Sequence, residues 1–130
     1  MKEYRKNDVL EKLKEAFEAG LKRARLTERH GLVPGTPARS ESGEWLLPFE
    51  DLNAAWVDFW RERAAFLWVL KRYHEERGRD VPERARMAFD ALMKRLDGVF
   101  CEEVLREEFE GAFDLVDDAV KDDSQMEFDF

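Results

Sequence analysis

Apolar residues in this chain recur at spacings of three and four in four separate stretches, and nothing before the C-terminal tail alternates in the manner of a strand. Spacings of that kind put the apolar side chains on one face of a helix. The fold this dictates is all-α: a small bundle of about four helices over residues 1–121, followed by an extended tail at 122–130.

The second stretch constrains the packing most. Pro48 suits a first turn, Gly78 suits a stop, and Leu52, Trp56, Phe59, Phe66, Leu70 and Tyr73 mark one face between them. Trp60, Leu67 and Trp68 fall beside or opposite that face, so the helix is apolar over most of its circumference near 64–70. Such a helix is expected at the centre of the bundle, or else with a second face buried against another subunit, which leaves a dimer through helix two open. The aromatic set Trp56, Phe59, Trp60, Phe66 and Trp68 reads as core material.

The first helix is expected over about 8–29, capped by Asn7 or Asp8, with Leu10, Leu13, Phe17, Leu21 and Ala24 facing inward. Gly20 lies inside that stripe, where it either weakens the helix or admits a close helix crossing. The third helix starts at Val81 and Pro82 behind Asp80 and carries Ala85, Phe89, Leu92, Met93 and Leu96 inward. The fourth runs over about 100–121 with Leu105, Phe109, Ala112, Phe113, Val116 and Val120 inward. Short connections at 78–80 and 97–99 imply that helices two, three and four stack as antiparallel neighbours. The architecture is then a four-helix bundle, or a three-helix bundle with the first helix packed across it.

Between the first two helices lies a long connection, about 31–47, rich in Gly, Pro and Ser. A loop of that length in a helical domain is functional or mobile. It lacks the Gly-Lys-Ser/Thr ending of a phosphate loop.

Charge separates the ends of the chain. Residues 1–40 carry +4, residues 41–80 carry −3 and residues 81–130 carry −9, for a net −8. The overall sign disfavours general nucleic-acid binding, although Lys22, Arg23, Arg25 and Arg29 at the end of helix one form a local basic cluster able to meet phosphates. The same cations equally complement the dipole of a helix C-terminus. Opposite in sign, Glu103, Glu107, Glu110, Asp114, Asp117 and Asp118 ride one broad face of helix four. That is a solvated face, or a mimic of nucleic-acid phosphates.

The catalytic inventory is thin. Cys101 is a single cysteine, expected as a small half-buried residue opening helix four, without disulfide or metal partners. His74 reads as a helix-end residue, and neither it nor His30 has the Glu three positions earlier that a di-iron bundle needs. With no apolar leader and no membrane-length apolar run, a cytoplasmic, non-enzymatic protein without cofactors is expected.

The tail is different in kind. In an extended segment Met126, Phe128 and Phe130 share one face and Gln125, Glu127 and Asp129 the other. Three large apolar side chains in six residues cannot be satisfied by water, so the segment must dock on something. Gln first, Met second, a large apolar residue fourth and Phe sixth resemble the hexapeptide with which many bacterial and phage replication and repair proteins bind the DNA sliding clamp. The resemblance implies Gln125 as the amide anchor, Met126 as a lesser contact, Phe128 and Phe130 as groove-filling anchors, and the clamp as partner. Phe at the fourth position departs from the commoner Leu. A second protein partner for the bundle follows if the chain is an adaptor.

Three other readings accompany it. Acidic residues running into Phe130 are similar to the C-terminal tip of single-stranded-DNA-binding proteins, though the usual preceding Pro is absent. The tail can also fold back onto its own domain. Finally, Arg25 and His30 fit the Arg-x4-His spacing and so resemble the HEPN family of helical RNases and toxins, which implies a phosphate-cleaving pair; the motif here sits early in the bundle, with Leu26 where that family favours a polar residue.

Overall fold

The computed structural model describes residues 3–98 and 101–120. Among these, four helices follow one another: α1 (Lys6–Arg29), α2 (Glu50–Glu75), α3 (Glu83–Gly98) and α4 (Glu102–Ala119). The architecture is an all-α bundle. The tail at 122–130, with Gln125, Met126, Phe128 and Phe130, lies outside the described residues, as do Val99 and Phe100.

Each helix buries the stripe its spacing dictates. Leu13, Phe17, Leu21 and Ala24 of α1, Leu52, Phe59, Phe66, Leu70 and Tyr73 of α2, and Ala85, Phe89, Leu92, Met93 and Leu96 of α3 are all buried. On α4, Leu105, Ala112 and Val116 are buried, with Val120 just beyond. Phe109 and Phe113 are half-buried against the core, and Phe109 stacks on Phe17 at 4.4 Å. Leu10 is likewise only half-buried; Val9, one position earlier, takes the inward place.

Helix ends follow local chemistry. Asp8 is not the cap of α1: Arg5 holds that position, and the Asp8 carboxylate accepts a hydrogen bond from the Arg5 backbone N–H at 2.8 Å from inside the first turn. Gly78 ends α2 as expected, with φ +66 and a hydrogen bond from Arg79 N–H to His74 O at 3.1 Å. Cys101 caps α4 and is exposed rather than half-buried.

The packing order departs from the expectation that α2 is central. α1 occupies the centre, packing against α2, α3 and α4, while among the described helices the α2 backbone comes close to α1 alone. Ion pairs fix the directions. Lys6–Asp117, at 2.7 Å, and Arg106–Glu18, at 3.5 Å, run α1 and α4 antiparallel, and Arg95–Glu108, at 3.4 Å, with Arg84–Asp118, at 3.1 Å, does the same for α3 and α4. Thus α3 and α4 are antiparallel neighbours, but α2 and α3 meet only through long side chains, Phe66 stacking on Phe89 at 4.3 Å. At the other end of α2 the Tyr73 hydroxyl donates to Val120 O at 2.8 Å.

Gly20 explains the centrality of α1. A Cβ there would lie 2.6 Å from Leu96 Cδ1 and 2.7 Å from Phe59 Cε1, so side chains of α2 and α3 converge over a bare backbone. Because α2 is peripheral, its outer face stays free: Trp60, Leu67 and Trp68 are 53%, 40% and 56% exposed and do not belong to the core.

The 31–47 connection is ordered by its own hydrogen bonds. Arg39 and Trp45 form an isolated antiparallel bridge, Leu46 N–H donates to Ala38 O and Ser40 N–H to Glu44 O, each at 2.8 Å. Ala38 is fully buried, and Leu32, Leu47 and Phe49 join a small second cluster around Leu26, Leu52 and Ala55.

Replacing Gly20 by Val is expected to lower the unfolding free energy by about 2 kcal/mol, from overpacking against Phe59 and Leu96. In urea titrations the loss should be less than additive with Leu96→Ala, which vacates part of that space. An unchanged midpoint for Gly20→Val would contradict the close crossing.

Candidate functional site

The basic end of α1 does not form one patch. Arg23 is 6% exposed and turned inward, where it pairs with Asp97 at the end of α3. Its guanidinium lies 4.5 Å from the Phe59 ring centroid and 4.9 Å from that of Trp56. Arg25 points instead to α4, its Nε 2.8 Å from Glu102 Oε1, and this bond holds the Glu102 carboxyl below the ordinary glutamate range. Lys22 and Arg29 remain exposed on the same face as Arg25.

Arg25 and His30 are likewise held apart. His30 Nε2 lies 2.9 Å from Asp51 Oδ1 at the start of α2, and the imidazole stacks on Phe49 at 3.9 Å. With Arg25 engaged on α4 and His30 on α2, the two side chains do not meet on a common point of this chain. His74 lies in the last turn of α2, as expected of a helix-end residue, and is fully buried there, with Nδ1 2.8 Å from Leu70 O.

On α4, Asp117 and Asp118 are spent on the inter-helix ion pairs with Lys6 and Arg84. Glu103, Glu107, Glu110 and Asp114 stay exposed and fall in one row along the helix. Among the described residues no group of His, Cys, Asp and Glu is arranged to hold a metal ion, and no helix is long and apolar enough to cross a membrane.

The arrangement most open to a partner is the outer face of α2. Trp60, Ala64, Leu67 and Trp68 follow one another at helical spacing and are all exposed. Arg63 lies beside them, its guanidinium 4.4 Å from the Trp60 centroid and 5.4 Å from that of Phe59. No described carboxylate comes within ion-pair distance of Arg63. Burial lowers its pKa first, and the neighbouring charge of Arg23 lowers it further, while Asp97 acts in the opposite direction. A cavity of about 100 Å³ opens between Arg23, Arg63, Trp56, Trp60, Asp97 and the Pro34–Gly35 turn. It is lined by two guanidinium groups and the Asp97 carboxylate and is too small for a drug-sized ligand.

Sequence reasoning marked this second face of the helix but placed it in the core or against another subunit, because an apolar residue opposite a core stripe carries the same hydropathy whether it meets solvent, a subunit or a core. The available signal was the basic flank formed by Arg61, Arg63, Lys71 and Arg72. No family model, curated protein or solved structure matches the chain.

Two outcomes follow. Asp97→Ala leaves the buried Arg23 cation uncompensated beside Arg63 and should cost about 1–3 kcal/mol in chemical unfolding, more than Arg23→Met, which removes the charge along with its partner's task. Asp51, whose carboxyl is held low chiefly by the hydrogen bond to His30, stabilises the fold above the ordinary aspartate range and loses that contribution as pH falls through its lowered pKa. Carboxyl NMR titration should therefore show the Asp51 midpoint moving up toward the ordinary value in His30→Ala; an unmoved midpoint would reject the His30 cause.

Proposed function

We propose that this protein is a non-catalytic adaptor or regulator that docks on the DNA sliding clamp through its C-terminal peptide, within replication or repair or a phage takeover of it. The observation that carries the reading is the co-occurrence of Gln125, Met126, Phe128 and Phe130 at the first, second, fourth and sixth positions of one hexapeptide. An amide able to both donate and accept, followed by large side chains on one face of an extended strand, is a design for a groove with one polar pocket.

Two mechanisms use the same device. As a recruiter, the peptide tethers the bundle to the clamp while the body holds a second protein, with the outer face of α2 as its available apolar surface. As a competitor, the peptide fills the groove and excludes other clamp users, and the exposed carboxylates Glu103, Glu107, Glu110 and Asp114 repel DNA passing nearby. The compartment such a role implies is the cytoplasm, and the reading calls for neither cofactor nor direct nucleic-acid binding.

The expected result is saturable binding of the wild-type chain to purified sliding clamp and a loss of at least about tenfold in affinity for Gln125→Ala/Phe128→Ala, the two main anchors. Equal binding by both proteins, or none by either, removes the clamp from the list of partners.

A further inference from the structure

We infer that segment 122–130 seats in cis on the outer face of α2, so that the docking peptide is sheltered by its own domain until a partner competes for it. The seat is the strip of Trp60, Ala64, Leu67 and Trp68, whose exposure leaves two indole rings and a leucine in water on one helix. A surface of that kind calls for a cover, and three observations select the occupant.

The first is charge. Residues 60–72 carry four cations, Arg61, Arg63, Lys71 and Arg72, against the single carboxylate of Glu62. Arg61, Lys71 and Arg72 have local partners in Asp58 and Glu75, at 3.9, 3.7 and 3.2 Å, whereas Arg63 has none among the described carboxylates. A second copy of the chain meeting this face across a two-fold axis would bring cation against cation, which disfavours a symmetric α2 dimer. Segment 121–130 has the opposite sign, with Asp122, Asp123, Glu127 and Asp129 against Lys121.

The second is position. The hydrogen bond from the Tyr73 hydroxyl to Val120 O, at 2.8 Å, puts the end of α4 beside the C-terminal end of α2. From Tyr73 back to Trp60 is thirteen residues, or about 20 Å of helix. Eight residues of extended chain beyond Val120 span about 26–29 Å, which brings Phe128 within reach of Trp60 even after passing around the helix.

The third is pattern. Alternation in 125–130 presents Met126, Phe128 and Phe130 to one side and acidic side chains to the other. Apolar side chains then lie on the indoles while a neighbouring carboxylate meets Arg63 at the mouth of the 100 Å³ cavity. The clasp stands without the clamp reading; its regulatory consequence, competition between the two seats for Phe128 and Phe130, rests on that reading.

The test uses the full chain. Acrylamide quenching of tryptophan emission and hydrogen exchange over 60–72 are compared between wild type and Met126→Ser/Phe128→Ser/Phe130→Ser. The variant should quench more readily and lose protection on α2, and 1 M salt should weaken the protection of the wild type. Identical quenching and exchange overturn the clasp. Protection that grows with protein concentration also overturns it, since the cover is then a second copy. In clamp titrations Trp60→Ala/Trp68→Ala should bind about fivefold tighter than wild type, the factor expected where the clasp is closed four-fifths of the time. No clamp binding by any variant, with α2 protection intact, rejects the clamp reading and keeps the clasp. Clamp binding that Trp60→Ala/Trp68→Ala leaves unchanged, together with unchanged quenching, rejects the clasp and keeps the clamp.

Discussion

The bundle depends on an absent side chain. At Gly20 the α1 backbone is bare, and Phe59 of α2 and Leu96 of α3 come so close over it that a methyl group would overlap both. Helix propensity opposes glycine at that point by about 1 kcal/mol, so its presence needs the packing it permits. With α1 thus approached from two sides and tied by ions to α4 on a third, it becomes the helix around which the others gather. The greasiest helix, α2, is displaced to the periphery. One consequence reaches the functional surface: α2 spends a single face on the core and keeps Trp60, Leu67 and Trp68 outside.

The charge asymmetry of the chain is resolved largely within the fold. A basic N-terminal third and an acidic C-terminal half are brought side by side when α1 and α4 pack antiparallel, and Lys6, Arg25 and Glu18 find Asp117, Glu102 and Arg106 there. Exposed pairs of this kind contribute roughly 0–1 kcal/mol each. They discriminate direction weakly, because α4 is acidic at both ends and a reversed α4 would still set carboxylates against Lys6 and Arg25; of the three pairs only Glu18–Arg106 depends on the orientation. Of the cations that a linear reading assigns to phosphates, Arg23 and Arg25 are engaged within the fold, while Lys22 and Arg29 stay exposed. Arg63, read from the sequence only as part of the helix, is a half-buried cation beside the Trp60 and Phe59 rings that has no ion pair among the described carboxylates and is repelled by Arg23.

Periodicity carries the existence, number and inner faces of the helices, because burial of Leu13, Phe59, Phe89 and Leu105 is a matter of spacing alone. It does not carry the order of packing. Gly20 has no hydropathy with which to announce that it is the contact point, and Trp68 looks as apolar at 56% exposure as Phe66 does at none. Arg23 is misleading in the other direction: its charge reads as surface, while its stem and planar head fit a buried slot lined by Trp56 and Phe59 and closed by Asp97. His74 disappears into the core for a related reason, since one backbone carbonyl a turn earlier is enough to satisfy a ring nitrogen. Long-range partners of polar side chains are set by the fold, and no spacing rule reaches them.

The two seats proposed for the tail make different demands on it, and the composition of the tail separates them. A clasp on α2 needs large apolar side chains, acidic companions for Arg61, Arg63, Lys71 and Arg72, and length enough to cross the helix. It has no need of an amide at a fixed position, because the cations that flank the strip ask for a carboxylate. Gln125 is thus unexplained by the clasp and explained by the clamp groove. Conversely Asp122 and Asp123, which lie ahead of the hexapeptide, are not required by the groove but suit the basic end of α2 near Lys71 and Arg72, next to where the chain leaves Val120. Phe128 and Phe130 are wanted by both seats and cannot occupy both at once. A peptide built with anchors for each and sharing its two largest side chains between them is poised by competition rather than by affinity, and modest changes in the charge of α2 are then sufficient to set how often it is presented.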